Sequence, residues 1–225
     1  MTVRAEWEQL IRNLIAEGIL KTSNITRAMR LVSREPFLPV HMKQSFAIDA
    51  PLPIGWGQTA SAPHMVSIMN EALRLETGQK VLEVGAGSGW HACTIAEAIA
   101  PSDQPRSARG HVFTTEIIRD LADYARTNTE KAGYAERVTI IHHDGSQGYQ
   151  PEAPYDRILV TAAAPDIPKP LTDQLKPDGI LVIPVGGTYY YQTLHRITKK
   201  DTKLTRESLG GVAFVPLTGK YGQHT

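Results

Sequence analysis

Residues 80–89, Lys-Val-Leu-Glu-Val-Gly-Ala-Gly-Ser-Gly, narrow the possible folds more than any other stretch. A short apolar run passes directly into a turn with glycine at 85, 87 and 89, and a helical run follows over 90–100. A strand that ends in a glycine turn and continues as a helix is the opening of a parallel-sheet unit. The chain beyond repeats the alternation. Residues 111–115 read as a strand, 117–131 as a helix, and 137–142, 155–161 and 179–185 as strands, with a short helix near 171–175. Strands separated by helices predict an α/β fold: a doubly wound, mostly parallel sheet with helices on both faces. Residues 189–197 and 212–217 read as strands with no helix between them, which predicts an antiparallel C-terminal edge.

Ahead of the glycine turn the pattern is helical. Trp7, Leu10, Ile11, Leu14 and Ile15 recur at helical spacing within 4–20, and Asn24 is placed to cap a second helix through Leu31 and Val32. Pro36-Phe37-Leu38-Pro39 ends it. Residues 45–62, rich in glycine, proline and small polar residues, predict irregular chain. A third stripe, Met65, Ile68, Met69, Ala72 and Leu73, starts behind Pro63, which suits a first helical turn.

Composition excludes several classes of function. With 24 Lys+Arg against 23 Asp+Glu, the net charge of +1 argues against a nucleic-acid partner held through phosphate contacts. Cys93 is the one cysteine, so no internal disulfide or cysteine-based zinc cage exists, and a reducing compartment is expected. No apolar run approaches the ~18 residues of a membrane span, and Met1-Thr-Val-Arg-Ala-Glu-Trp7 lacks an apolar signal core. A cytoplasmic, monomeric protein away from membranes is the expectation.

Glycines in such a turn let the backbone approach a ligand beside a helix N-terminus. The spacing here is Gly-x-Gly-x-Gly, not the Gly-x-Gly-x-x-Gly of dinucleotide folds. Glu116 ends the next strand, where a carboxylate can accept both ribose hydroxyls. It stands further from the glycines than the usual ~20 residues because the surface loop 101–110 intervenes. Asp144-Gly145 ends the strand after that, placed to receive an adenine amino group. Each acid alone would read as a helix cap or a solvated loop residue. Together, at three successive strand ends, they outline a nucleoside crevice that suits S-adenosylmethionine better than NAD.

With these features the sequence resembles the protein-L-isoaspartate O-methyltransferases over most of its length. The most specific block is Pro51-Leu-Pro-Ile-Gly-Trp-Gly-Gln-Thr-Ala-Ser-Ala-Pro-His-Met65, which generic methyltransferases lack. The stretch 81–89 is similar to the family's cofactor motif. Ala162-Ala163-Ala164-Pro165, Gln174-Leu175-Lys176-Pro177, Phe214-Val-Pro-Leu-Thr-Gly-Lys-Tyr221 and Arg34-Glu-Pro-Phe-Leu-Pro39 also match. Ala47 and Ile48 stand where many members have Tyr and Glu.

The resemblance implies a Rossmann-like methyltransferase. Such an enzyme transfers a methyl group from S-adenosylmethionine to the α-carboxylate of L-isoaspartyl residues in damaged proteins and peptides, releasing S-adenosylhomocysteine, with no metal. The ester then closes to a succinimide that hydrolyses partly to L-aspartate. By the same resemblance Ser61 is the active-site hydroxyl. Cofactor contacts fall to Thr59, Ser61, Glu83, Gly85, Gly87, Ser88, Gly89, Glu116, Asp144 and Gly145, with Thr218 closing the site. The expected organisation is one methyltransferase domain, 1–225. Its segments are a helical, substrate-side part (1–78), a cofactor-binding core (79–186) and C-terminal strands (187–225).

A carboxylate is already a nucleophile at neutral pH and a sulfonium methyl is already electrophilic, so positioning is the main task. Orientation can supply ~7–11 kcal/mol of barrier reduction. Ser61 could instead cap the helix after Pro63, but Pro63 at the first position makes Ala62 the formal cap. His142-His143 reads as strand-end histidines rather than a metal site, Tyr189-Tyr190-Tyr191 as packing on an alternating strand, and Cys93 as a small core residue. Three other readings stay open on sequence alone: a methyltransferase for RNA or a small molecule, a silent adenosine-ligand module, and an NAD-dependent oxidoreductase.

Overall fold

A computed structural model of the chain describes residues 5–187 and 191–223. Two helices lead, α1 (Ala5–Ala16) and α2 (Ser23–Leu31), followed by a small hairpin, β1 (Leu52–Gly55) and β2 (Gln58–Ala60). Then come α3 (Pro63–Leu73), β3 (Lys80–Val84), α4 (Trp90–Ile99), β4 (His111–Glu116), α5 (Arg119–Lys131), β5 (Val138–His142) and β6 (Tyr155–Val160). The chain finishes with α6 (Lys169–Asp173), β7 (Leu175–Val185), β8 (Gln192–Lys200) and β9 (Lys203–Val212).

The main sheet has seven strands in the order β5-β4-β3-β6-β7-β8-β9. The first five are parallel, and β7/β8 and β8/β9 pair antiparallel. This is the doubly wound, mostly parallel sheet with an antiparallel C-terminal edge that the sequence predicts. Strand order reverses at β3, so β3 and β6 flank the point where α/β sheets open a crevice.

Alternation along the strands sorts their side chains into two layers. Val81, Leu159, Ile180 and Val182 join a core with α1 to α5, whereas Leu82, Val84, Ile158, Val160, Leu181 and Ile183 face α6. The larger core runs without a break from Trp7 to Leu194. Trp7 and Trp90 meet edge to face with ring centroids 6.1 Å apart, and their indole N–H groups donate to Met29 O (2.8 Å) and Val32 O (2.9 Å). Two buried indoles with satisfied donors thus weld the helical preface to the sheet. Cys93 is buried in this core.

Several local expectations are corrected. Ile15 lies outside the buried stripe of α1. Asn24 does not cap α2; Thr22 holds that position, and Glu71 Oε1 accepts from Lys21 N and Thr22 N while Asn24 Nδ2 donates to Leu75 O. Residues 45–62 are not wholly irregular, since they carry the β1–β2 hairpin, turned at Trp56 (φ 52°) and Gly57 (φ 71°). Both turn residues are left-handed, as a two-residue hairpin loop of type I′ requires. The last strand is β9 at Lys203–Val212 rather than 212–217, and its solvent-facing side chains lack the apolar alternation that marks a strand in sequence. Tyr189 and Tyr190 lie outside the described residues, and Tyr191 is exposed.

Candidate active site

At the C-terminal ends of β3, β4 and β6 a cleft opens, enclosing about 820 Å³ including its mouth. That size suits a small organic ligand or cofactor. Its floor is the glycine turn. Gly85, Gly87 and Gly89 all adopt left-handed backbone (φ 98°, 54° and 86°), a region where only glycine is free of strain. Two of them are also sites of close approach. A Cβ on Gly85 would lie 2.3 Å from Thr161 Oγ1, and one on Gly89 would lie 2.8 Å from Thr129 Oγ1 and 3.1 Å from Ala125 O. Gly85, Gly87 and Ser88 line the cleft, while Gly89 sits behind the wall as the residue that starts α4 against α5.

Glu116, at the end of β4, lies on the wall. Its Oε2 accepts from Gly87 N (3.1 Å) and its Oε1 from Ile118 N (3.1 Å), so the glycine turn and the acid fix each other's geometry. Burial nevertheless pushes its pKa up. The Ile117 N–H also bears on this carboxylate, and acceptor capacity remains beyond these donors for a ligand hydroxyl. Gly145 also lines the cleft, and a Cβ there would lie 2.2 Å from Thr115 Oγ1.

Asp144 is placed differently from the expectation. It is not on the wall, and local donors take up its carboxylate. Oδ1 accepts from Ser146 N (3.0 Å) and Ser146 Oγ (2.7 Å), and Oδ2 from Gln147 Nε2 (3.0 Å) and Lys220 N (2.9 Å). Although burial raises its pKa, these hydrogen bonds hold it below the usual carboxylate range. Asp144 therefore clasps the C-terminal segment rather than facing the cleft. That segment crosses the opening: Val215, Pro216, Leu217 and Thr218 line it, held by Ala163 N to Val215 O (2.8 Å) and Leu217 N to Ala163 O (2.9 Å).

Thr59 and Ser61 enter from the opposite side, on β2 and just after it, and both line the cleft. Their position depends on Arg34, which is fully buried. Its guanidinium donates to Ile48 O (2.6 Å), Ala50 O (2.7 Å), Ser61 O (3.1 Å) and Phe46 O (3.2 Å). One planar fork thus gathers the carbonyls of the whole 46–61 segment. Burial lowers the Arg34 pKa to about 10, against the pull of Asp49, so it stays charged at neutral pH. Ala62 is the N-cap of α3, and Asp49 caps the helix from the loop by accepting from His64 N (2.9 Å) and facing His64 Nδ1 (3.0 Å). His64 is thereby committed to Asp49, and among the described residues no hydrogen bond claims the Ser61 hydroxyl.

Glu83, in the middle of the motif, is off the wall and fully buried beneath α4. It accepts from Thr114 Oγ1 at 2.5 Å, and its other oxygen has no partner among the described residues. Burial above all, with Glu116 nearby, pushes its pKa to about 8, so the carboxyl is neutral at pH 7.

Sequence reasoning missed Gln58, Thr115, Thr161 and His91, all on the wall. Thr161 was findable, because it follows β6 much as Glu116 ends β4; its hydroxyl donates to Gly85 O (2.8 Å) across the switch point. His91 lies within an apolar helical run that hides it. Among the described residues no group of three or more His, Cys, Asp or Glu could hold a metal.

A glycine cradle at the switch point, a carboxylate at the neighbouring strand end and an unclaimed hydroxyl opposite define an α/β nucleoside-cofactor enzyme of the S-adenosylmethionine-dependent methyltransferase type. Comparison with known proteins sharpens this. The sequence profile of the protein-L-isoaspartate(D-aspartate) O-methyltransferase family matches residues 5–222. The chain is 53% identical over 214 residues to the protein-L-isoaspartate O-methyltransferase of Hyperthermus butylicus, covering 95% of this chain and 89% of that one. It is 51% identical over 215 residues to that of Korarchaeum cryptofilum, covering 95% and 97%. Among solved structures it is similar to a Plasmodium falciparum protein described as a putative protein-L-isoaspartate O-methyltransferase in complex with S-adenosyl-L-homocysteine (TM-score 0.84, 28% identity, 96% and 99% covered). A second solved protein-L-isoaspartate O-methyltransferase gives a TM-score of 0.85 at 27% identity, with 96% and 67% covered. The chain belongs to the protein-L-isoaspartate(D-aspartate) O-methyltransferase family.

Proposed function

We propose that this protein transfers the methyl group of S-adenosylmethionine to the α-carboxylate of L-isoaspartyl residues in proteins and peptides. The observation that carries the reading is the facing arrangement of the glycine cradle with Glu116 and the uncommitted Ser61 hydroxyl in one cleft. The cradle fits the cofactor: the backbone packs closely at the glycines, an acid stands at the neighbouring strand end, and the wall holds no second carboxylate among the described residues. When bound, S-adenosylmethionine supplies an electrophilic methyl on a positively charged sulfur and leaves as the neutral thioether.

The residues divide the remaining work. Glu116 accepts the ribose hydroxyls, Gly85, Gly87, Ser88 and Gly145 leave room for the nucleoside and tail, and Ile117 and Ile118 give an apolar surface for the base. The C-terminal segment with Thr218 and the β2 strand with Thr59 enclose the site and exclude water. Ser61 donates a hydrogen bond to one oxygen of the substrate carboxylate and aims the other at the methyl carbon. No general base is needed, because the attacking oxygen already carries its charge. Gly89, Glu83 and Asp144 act at one remove: Gly89 by letting α4 start, Glu83 from below the turn, Asp144 by clasping the segment that closes the cleft. The continuous core from Trp7 to Leu194 supports a single working domain, 1–225. Among the described residues no helix is long and apolar enough to cross a membrane.

Ser61→Ala tests the assignment. Loss of a hydrogen bond to a charged group is worth about 1.5–3 kcal/mol, so turnover falls about 10- to 100-fold while calorimetric affinity for S-adenosylhomocysteine stays close to wild type. An unchanged rate removes Ser61 from the mechanism.

A further inference from the structure

Trp56 is a bulky residue in a place that favours a small one. It stands at the tip of the β1–β2 hairpin in left-handed backbone (φ 52°), where a type I′ turn ordinarily takes asparagine, aspartate or glycine. A large side chain in that region is strained, and this one is also 44% exposed. Its ring nevertheless has a seat. It lies on the ring of Tyr124 in α5, with centroids 5.7 Å apart and planes tilted by 44°. Tyr124 is itself held, since its hydroxyl donates to Phe37 O (3.1 Å).

The rest of the hairpin shows what that seat does. β1 and β2 form a two-stranded sheet of their own, apart from the main sheet, and a lone hairpin is marginally stable. Its base is fixed, because Arg34 Nη1 donates to Ala50 O (2.7 Å) and Ser61 O (3.1 Å) on either side of it. Its middle rests on the glycine turn: Ile54 is buried, and its Cδ1 lies 3.7 Å from where a Cβ on Gly87 would stand. The tip stands clear on both sides of Trp56, for a Cβ on Gly55 or Gly57 would meet nothing within 4 Å. The Trp56 ring therefore ties the tip down. Between tip and base run Gln58, Thr59 and Ala60, which line the cleft, and α5, to which the tip is tied, supplies Leu121 to the same cleft. One aromatic contact thus joins two of the cleft's walls.

We propose that Trp56 is a positioning residue for the cofactor: its ring, seated on Tyr124, pins the hairpin tip to α5, so that Gln58 and Thr59 hold their side of the cleft and a bound ligand is retained. This rests on the cofactor reading above. Trp56 itself is off the cleft wall, so it acts through β2 rather than on the ligand. A hairpin shaped for its turn alone would carry a small residue at the tip; the strained tryptophan is explained by the contact it reaches.

Stopped-flow displacement of bound S-adenosylhomocysteine, read beside thermal melts without ligand, tests the assignment. Trp56→Asn removes the ring and gives the turn the asparagine–glycine pair it favours, so the ligand-free melt stays at or above wild type. Release of S-adenosylhomocysteine is expected to quicken about threefold to tenfold, the worth of one aromatic pair. Trp56→Phe keeps a ring and restores most of the slow release. Tyr124→Leu takes away the seat instead, and reads the same contact should the first variant fail to fold. It quickens release by a similar factor, and the double variant by no more than either alone. Three results overturn the role of Trp56 and leave the cofactor reading intact: wild-type release from both Trp56→Asn and Tyr124→Leu, release from Trp56→Phe as fast as from Trp56→Asn, or effects of the two sites that multiply. A wild-type chain that does not bind S-adenosylhomocysteine overturns the cofactor reading and this inference with it.

Discussion

Glu83 lies between Leu82 and Val84 at the end of β3, and strand alternation turns it to the opposite face from both. Its neighbours join the layer that faces α6, while its own carboxyl is sealed under α4 and never reaches the cleft. A place inside the glycine motif therefore does not make it a cofactor contact. With a folded pKa of about 8 against an ordinary 4.5, the native chain keeps a proton that the unfolded chain releases. Stability from this group is fully present below about pH 4.5 and is lost as pH rises through about 8. Glu83→Gln cannot titrate. Denaturant unfolding across roughly pH 4 to 9 should show the variant gaining on wild type as pH rises, by on the order of a few kcal/mol at the alkaline end. Parallel profiles would contradict a buried neutral carboxyl.

Among the elements, the C-terminal segment and the β1–β2 hairpin form the two sides of the opening, and each depends on one polar residue. Asp144 clasps the first through Lys220 N, and Arg34 gathers the second through the carbonyls of Phe46, Ile48, Ala50 and Ser61. Asp144→Ala should loosen the segment over 215–221 and weaken S-adenosylhomocysteine about tenfold, in keeping with one or two lost charged hydrogen bonds. Hydrogen exchange separates this from a contact with the adenine amino group. The clasp predicts faster exchange of the amides at Leu217, Lys220 and Tyr221, whereas a direct base contact would cost affinity with those amides still protected.

For the molecule as a whole, the sequence shows what is local and hides what is made at a distance. The strand into the glycine turn, the helix behind it and Glu116 at the next strand end are each legible, because apolar run, turn chemistry and position lie within a few residues. The hairpin at 52–60 escaped because its strands are short and β1 carries Pro53 and Gly55. β9 escaped because an exposed edge strand carries no apolar alternation. The clasp of Asp144 joins residues 76 positions apart, and the bond from His91 to Asn70 spans 21, so neither leaves a local pattern. Ser61 was legible only through the resemblance; the structure adds the reason its hydroxyl is free, with Asp49 capping α3 in its place.

Whether this cleft delivers a methyl group to an isoaspartyl carboxylate is decided by one transfer experiment. Labelled S-adenosylmethionine is offered to two peptides that differ only in isoaspartate against aspartate. Base-labile label on the isoaspartyl peptide alone is the expected result. Equal label on both peptides, or none on either while S-adenosylhomocysteine binds, would contradict it.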